Sequence, residues 1–181
     1  DRLVLTKPLG TGFVTTAHKF EDCPETTFRE ACASMTQLNR VGLEAVLEVG
    51  GVSSMTDITG FGLAGHSFEM AQGSKTTLIL ELSRLPLIPG AEELVRKKYF
   101  TRASKTNREY VAAGLRLQGP LDPVRLEFFY DAQTSGGLFI AVAPERAEAL
   151  VQAARARGAN YACVVGEVAR RQDNVALVVK P

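Results

Sequence analysis

Apolar positions along this chain switch between a period of two and a period near 3.6, and the switches predict its elements. Within Thr76 to Leu82, Leu78, Leu80 and Leu82 alternate with their neighbours, which predicts a strand with one buried face. Leu3-Val4-Leu5 is a short apolar strand that Lys7-Pro8 ends. Ser53 to Ile58, Leu126 to Tyr130, Leu138 to Val142, Tyr161 to Ala169 and Val175 to Val179 bring the predicted strands to seven. Leu38, Val41, Ala45 and Val49 fall at helical spacing, which predicts a helix over Thr36 to Val49 stopped by Gly50-Gly51. A second helix runs from Leu63 to Gln72, and a short one covers Ala91 to Lys98 after Pro86 and Pro89. Asn107 is placed as the N-cap of a helix reaching Leu115. Pro144 opens a helix at its first position, with Ala147, Leu150, Val151 and Ala154 as its stripe and Gly158 as its end.

Seven strands interleaved with five or six helices make an α/β domain of α+β character. The crossovers are uneven, and the last two strands, joined through Gln172-Asp173-Asn174, read as a hairpin. A mixed sheet with helices packed mainly on one face is therefore expected, rather than a doubly wound parallel sheet. Leu78, Leu80, Ile140, Val142, Leu150, Val165 and Val178 are expected in one core, and 181 residues suit a single domain.

Charge and cysteine usage narrow the function classes. The formal net charge is +1, so no field recruits nucleic acid or an anionic membrane, and Arg96-Lys97-Lys98 and Arg170-Arg171 read as solvated surface. No apolar run approaches the roughly 18 residues of a membrane span. Cys23, Cys32 and Cys163 form no C-x-x-C pair, which argues against a disulfide scaffold or structural zinc and suits a reducing cytoplasm. The start at Asp1, without Met and without the form of a signal peptide, leads us to expect a chain that begins within a longer protein.

Three segments have the residue types that phosphate or metal chemistry needs. In Thr56-Asp57-Ile58-Thr59-Gly60-Phe61-Gly62, a strand delivers an aspartate, and two glycines and a helix start follow. Bare N–H groups at a helix start favour phosphate, and a carboxylate beside them suits the hard cation of a nucleotide. The same pattern also describes an aspartate that caps a strand-turn-helix junction. Asp131 to Gly137 is a polar loop between two apolar segments, longer than a minimal hairpin turn, and reads either as a functional loop or as an ordinary one. Lys7-Pro8-Leu9-Gly10-Thr11-Gly12 lacks the spacing of a P-loop and reads first as a strand-to-helix turn, although its lysine suits an anion. Two histidines, His18 and His66, and no assembled Ser/His/Asp or Cys/His set leave no nucleophile to assign.

Read together with Val165-Gly166-Glu167-Val168, the blocks Leu5 to Gly12, Thr56 to His66 and Asp131 to Leu138 resemble, in order and spacing, the C-terminal half of the selenophosphate synthetases. Asp131-Ala132-Gln133-Thr134-Ser135-Gly136-Gly137 is the block most particular to that branch of the aminoimidazole ribonucleotide synthetase-like superfamily. The resemblance implies a C-terminal-domain fold of that superfamily and a reaction in which selenide, ATP and water give selenophosphate, AMP and orthophosphate with Mg²⁺. It implies that this part closes the nucleotide cleft, that Asp57 joins the metal shell, and that Thr59, Gly60, Gly62, Lys7, Gln133, Thr134 and Ser135 lie near nucleotide or phosphate. A reactive Cys or selenocysteine, a lysine and further aspartates would come from an N-terminal half, which also forms most of a homodimer, and the isolated chain would be inactive. Ala132 stands where the family often has Pro, and Arg102 to Asn107 lacks the glycines of a Gly-Gly-Thr-x-x-Asn segment. Another ATP-using enzyme of the superfamily and a non-catalytic binding module remain as alternatives.

Overall fold

The computed structural model describes every residue from Asp1 to Pro181. In chain order the elements are β1 (Arg2–Leu5), α1 (Thr11–Lys19), α2 (Glu25–Thr36), α3 (Arg40–Val49), β2 (Val52–Asp57), α4 (Gly62–Ser74), β3 (Thr76–Glu81), α5 (Ala91–Arg96), α6 (Arg102–Val111), β4 (Leu115–Leu117), α7 (Pro123–Tyr130), β5 (Leu138–Val142), α8 (Ala147–Ala156), β6 (Cys163–Arg170) and β7 (Leu177–Lys180). No helix is long and apolar enough to cross a membrane.

The strands form one mixed sheet in the order β2-β5-β1-β6-β3-β7-β4. From β2 to β3 every pairing is antiparallel, and β3-β7 and β7-β4 are parallel. Residues that alternate along a central strand sort onto two covered faces, as a period of two requires. Leu3, Leu5, Phe139 and Ala141 face one layer, and Val4, Leu138, Ile140 and Val142 face the other. The first layer is the thicker. It joins 29 buried residues, including Phe13 of α1, Leu63 of α4, Leu94 of α5 and the Phe128-Phe129-Tyr130 run of α7. The second joins 12, from α3 and α8 against the sheet. Helices thus weigh mainly on one face, as expected, with two on the other.

The expected single core is divided by the sheet. Leu78, Leu80 and Val165 belong to the thick layer, Ile140, Val142 and Leu150 to the thin one, and Val178 is buried on the sheet outside both clusters. The expected terminal hairpin is also absent. β3 lies between β6 and β7, antiparallel to one and parallel to the other. A turn at Gln172 to Val175 is present, but the strands it joins are not neighbours.

Several further elements and boundaries differ for local reasons. Leu126 to Tyr130 is the end of helix α7, not a strand. Asp122 Oδ1 accepts from Val124 N (2.8 Å) and Arg125 N (3.3 Å), and Pro123 occupies the first helical position. Its three consecutive buried aromatics, Phe128, Phe129 and Tyr130, carry neither period, so periodicity could not separate the two states. The seventh strand is β4 instead. The helix expected over Thr36 to Val49 begins at Arg40, and its Leu38 is exposed in the link from α2. Helix α1 follows the strand-to-helix turn expected at Lys7 to Gly12, but its extent was not marked, because Gly12, Val14, Thr15 and Thr16 are weak helix formers and it is held by tertiary packing. Asn107 caps nothing. Thr101 caps α6, accepting from Ser104 N at 3.2 Å, and Asn107 lies inside that helix. Pro144 starts a single 3₁₀ turn, with α8 proper from Ala147.

Candidate functional site

All three blocks singled out in the sequence meet at one end of the sheet. Asp57 ends β2 opposite Leu138 of β5, and Leu5 ends β1 opposite Phe139. Beyond the strands the ladder continues, with Ile58 N donating to Gly137 O (2.9 Å), Gln133 N to Thr59 O (3.0 Å) and Thr6 N to Leu138 O (3.1 Å). The loops 57–62 and 131–137 therefore run side by side, with Lys7 next to the second.

Loop 131–137 is fixed from inside the protein. Gln133 is buried, and its Oε1 accepts from Gly10 N (3.0 Å), Thr11 N (3.2 Å) and Thr11 Oγ1 (3.1 Å). Its Nε2 donates to the main-chain oxygen and to Oδ2 of Asp131, both at 2.9 Å. Thr134 N donates to Thr11 Oγ1 at 2.8 Å. Lys7, also buried, donates from Nζ to Ser135 O (2.8 Å) and Gln37 O (2.6 Å), and burial pushes its pKa down. Asn39 Nδ2 donates to Gly136 O at 2.9 Å. The interior thus absorbs the polar groups of Lys7 and Gln133, while Thr134 and Ser135 face outward, with Ser135 in the left-handed region at φ 51°.

Asp131 is fully buried at the start of α1. Gly12 N donates to its Oδ2 at 3.1 Å, while Oδ1 has no partner. Burial drives its pKa up to about 8, against the opposing pull of Gln133 and the Gly12 and Phe13 amides.

The loop at 57–62 is tied to its neighbour through glycine. Gly62 has φ 66°, and a Cβ there would stand 2.7 Å from Asp131 O, so only glycine allows this approach. Thr59 Oγ1 lies 3.0 Å from His66 Nε2, whose Nδ1 is 3.6 Å from Glu69. Asn107 Nδ2 donates to Gly60 O and to Tyr130 O, both at 3.0 Å, and so clamps the loop to the end of α7. Sequence reasoning missed this clamp and the Asn39 brace. The surviving asparagine of the segment 102–107 was the available signal.

Asp57 is exposed, and its carboxylate makes no side-chain hydrogen bond or ion pair. No group of three His, Cys, Asp or Glu side chains anywhere in the chain is arranged to hold a metal ion. The chain therefore offers a hard cation one free charged ligand at this end of the sheet, with the hydroxyl-bearing Thr134-Ser135 turn on the neighbouring loop, and no complete coordination sphere. Beside it opens a groove of about 470 Å³ lined by Thr59, Gly60, Phe61, His66, Ala103, Thr106 and Asn107. His18, far from these loops in sequence, stacks on Phe28 at 3.7 Å, and all three cysteines are free.

The family described as AIR synthase related protein, C-terminal domain, matches residues 1–179. The selenide, water dikinase of Caldanaerobacter subterraneus subsp. tengcongensis is 40% identical over 173 residues, 96% of this chain and 50% of that protein. That of Trichlorobacter lovleyi is 42% identical over 179 residues, 99% of this chain and 51% of that protein. Hydrogenase maturation protein HypE in complex with ATP superposes with a TM-score of 0.63 at 20% identity, over 98% of this chain and 46% of HypE, a likeness of fold. The chain spans about half the length of the curated relatives it matches.

Proposed function

Since this chain belongs to the AIR synthase related family through that family's C-terminal domain, we propose that it serves as the C-terminal half of an ATP-dependent enzyme that makes selenophosphate from selenide, ATP and water, releasing AMP and orthophosphate. The observation that carries this reading is the meeting of Asp57 with the loops 57–62 and 131–137 at one end of the sheet, with the Asp57 carboxylate exposed and free. The resemblance of loop 131–137 to the selenium branch, and the identity to selenide, water dikinases, support it over an aminoimidazole ribonucleotide synthetase-like activity.

In this reading the domain closes the nucleotide cleft. Asp57 supplies one carboxylate to a Mg²⁺ shared with carboxylates of a second half, which also brings the reactive Cys or selenocysteine and most of a homodimer contact. Mg²⁺ so held neutralises charge on the phosphate oxygens. Thr59, Gly60 and Gly62 shape the turn that receives phosphate, and the outward Thr134 and Ser135 hydroxyls donate to it. Lys7 and Gln133 act from behind, holding that loop in place. The setting is cytoplasmic, and the 181 residues alone do not turn over.

In a protein of the relatives' full length, Asp57→Asn should abolish or severely reduce selenide-dependent AMP production. The melting temperature should stay put, since the side chain has no partner to lose. Near-normal turnover at saturating Mg²⁺ would remove Asp57 from the site.

A further inference from the structure

Strand β2 and the outer flank of helix α3 leave one border of the sheet uncovered. β2 has a single neighbour, β5, so its other edge is unpaired. Ile58 N turns inward to Gly137 O, and by alternation Met55 and Asp57 turn their N–H and C=O groups outward. A register shift between Val52 and Ser54 and the charge of Asp57 sit near the two ends of this edge. Between them it carries no lysine, proline or other device that keeps an edge from pairing. Met55 stands opposite Ile140, on the face that α3 and α8 cover, yet it is 39% exposed.

Helix α8 packs on β1 and β6, whereas a Cβ on Gly42 of α3 would stand 3.0 Å from Leu138 of β5, so α3 lies on the β2 side of α8. Glu48 marks the flank of α3 that faces α8, since it pairs with Arg157. At about 100° per residue, Leu47 and Leu43 are turned by about 100° and 140° from Glu48 in the same sense. Both therefore stand on the opposite flank, above the β2 edge, where they are 75% and 42% exposed. Two leucines and a methionine held in water beside an open strand edge carry a hydrophobic cost that association recovers.

We propose that this border is a contact between two copies of the chain, related by a two-fold axis normal to the sheet, with β2 antiparallel to β2 of the second copy. The proposal goes beyond the catalytic reading above and does not depend on it. An extended peptide would pair the edge but leave the leucines bare, and a helix would do the reverse. A second copy supplies a strand and an apolar flank at the same offset, because a two-fold axis normal to the sheet sets both α3 helices on one face with their leucines toward each other. Charge allows it as well. Pairing centred on Met55 brings Asp57 beside Ser53 of the second copy rather than beside its own equivalent, so no like charges oppose across the strands. A single strand pair and one helix flank make a small interface, which sets the dissociation constant in the range of about 10–100 μM.

Sedimentation of the 181-residue chain between about 1 and 500 μM should show its mass double, and hydrogen exchange at the Met55 amide should slow over the same range. Leu47→Glu and Met55→Lys should each weaken the dimer at least tenfold, with the melting temperature of the dilute chain unchanged. Phe20→Glu, at a 65% exposed position on another helix end, should leave the dimer intact. A chain that stays monomeric at 500 μM, or a dimer that both Leu47→Glu and Met55→Lys leave unweakened, overturns the proposal. So does a Met55 amide that is protected only in the full-length protein and independently of concentration, which would assign the edge to that protein's other half.

Discussion

The carboxyl group of Asp131 lies across the first turn of helix α1, where Gly12 N–H donates to its Oδ2 at 3.1 Å and Oδ1 meets nothing. A proton on Oδ1 leaves the acceptor role of Oδ2 intact, so the buried neutral acid is well accommodated. The folded protein holds that proton up to a pKa of about 8, whereas an unfolded aspartate releases it near 4. The contribution to stability is complete below about pH 4 and is lost as pH rises through about 8. The melting temperature should therefore fall between about pH 5 and pH 9. Asp131→Asn mimics the protonated acid, with its oxygen in place of Oδ2, and should flatten that slope. A parent protein whose melting temperature holds or climbs over this range would show that the carboxylate is ionised in the fold.

Asn107 is the second point of leverage. It is buried, and its amide satisfies two carbonyl oxygens from different elements, Gly60 and Tyr130. Asn107→Ala strands both and should cost about 2–4 kcal/mol in denaturant unfolding. Asn107→Asp should be worse, because a carboxylate oxygen would face the two carbonyls where the amide donated. A loss under about 0.5 kcal/mol for the alanine variant would mean that water replaces the clamp.

Lys7 differs from a buried ion-pair partner because its ammonium faces only carbonyl oxygens. Lys7→Met removes two hydrogen bonds and also the cost of burying a charge. No uncompensated partner charge is left behind, so the net change should stay within about 1 kcal/mol. Its effect should appear in the loop. Hydrogen exchange at Ser135 to Gly137 should quicken, and turnover of the full-length protein should fall as the Thr134-Ser135 turn loosens. Unchanged exchange there would mean that Asn39 and Gln133 hold the loop without Lys7.

The site blocks were legible in the sequence because each is local. Asp57 before Gly60 and Gly62, and the run from Gln133 to Gly137, carry their turn chemistry in adjacent residues. Their meeting at one sheet end follows once Ile58 pairs with Gly137. What stayed hidden depends on distant partners. Nothing near residue 177 reports that β3 will lie between β6 and β7. The Gly166 approach to Ile79 O, where a Cβ would stand at 2.1 Å, marks the β6-β3 contact, but a lone glycine in a strand does not name its neighbour. Lys7 suited an anion by residue type and the family resemblance put Gln133 near phosphate, yet their polar atoms are taken up by loop carbonyls and by the start of α1. Asn107 sat where a cap was plausible, and only the packing of α6 against α7 turns it toward two loops.

β1 lies at the centre of the sheet but is the earliest of the seven strands to leave the ribosome. Its neighbours arrive late, since Arg2 pairs with Val142 of β5 on one side and Glu167 of β6 on the other. During synthesis Leu3, Val4 and Leu5 wait through most of the chain with both strand edges open, and the helices that emerge in between have no finished sheet to cover. A nascent or truncated chain that stops between β5 and β6 keeps a bare edge on the apolar strand β1, a template for intermolecular pairing. The production of this fold is therefore most exposed to damage in its last twenty or so residues, far in sequence from every residue assigned to the site, and chaperone dependence should concentrate there.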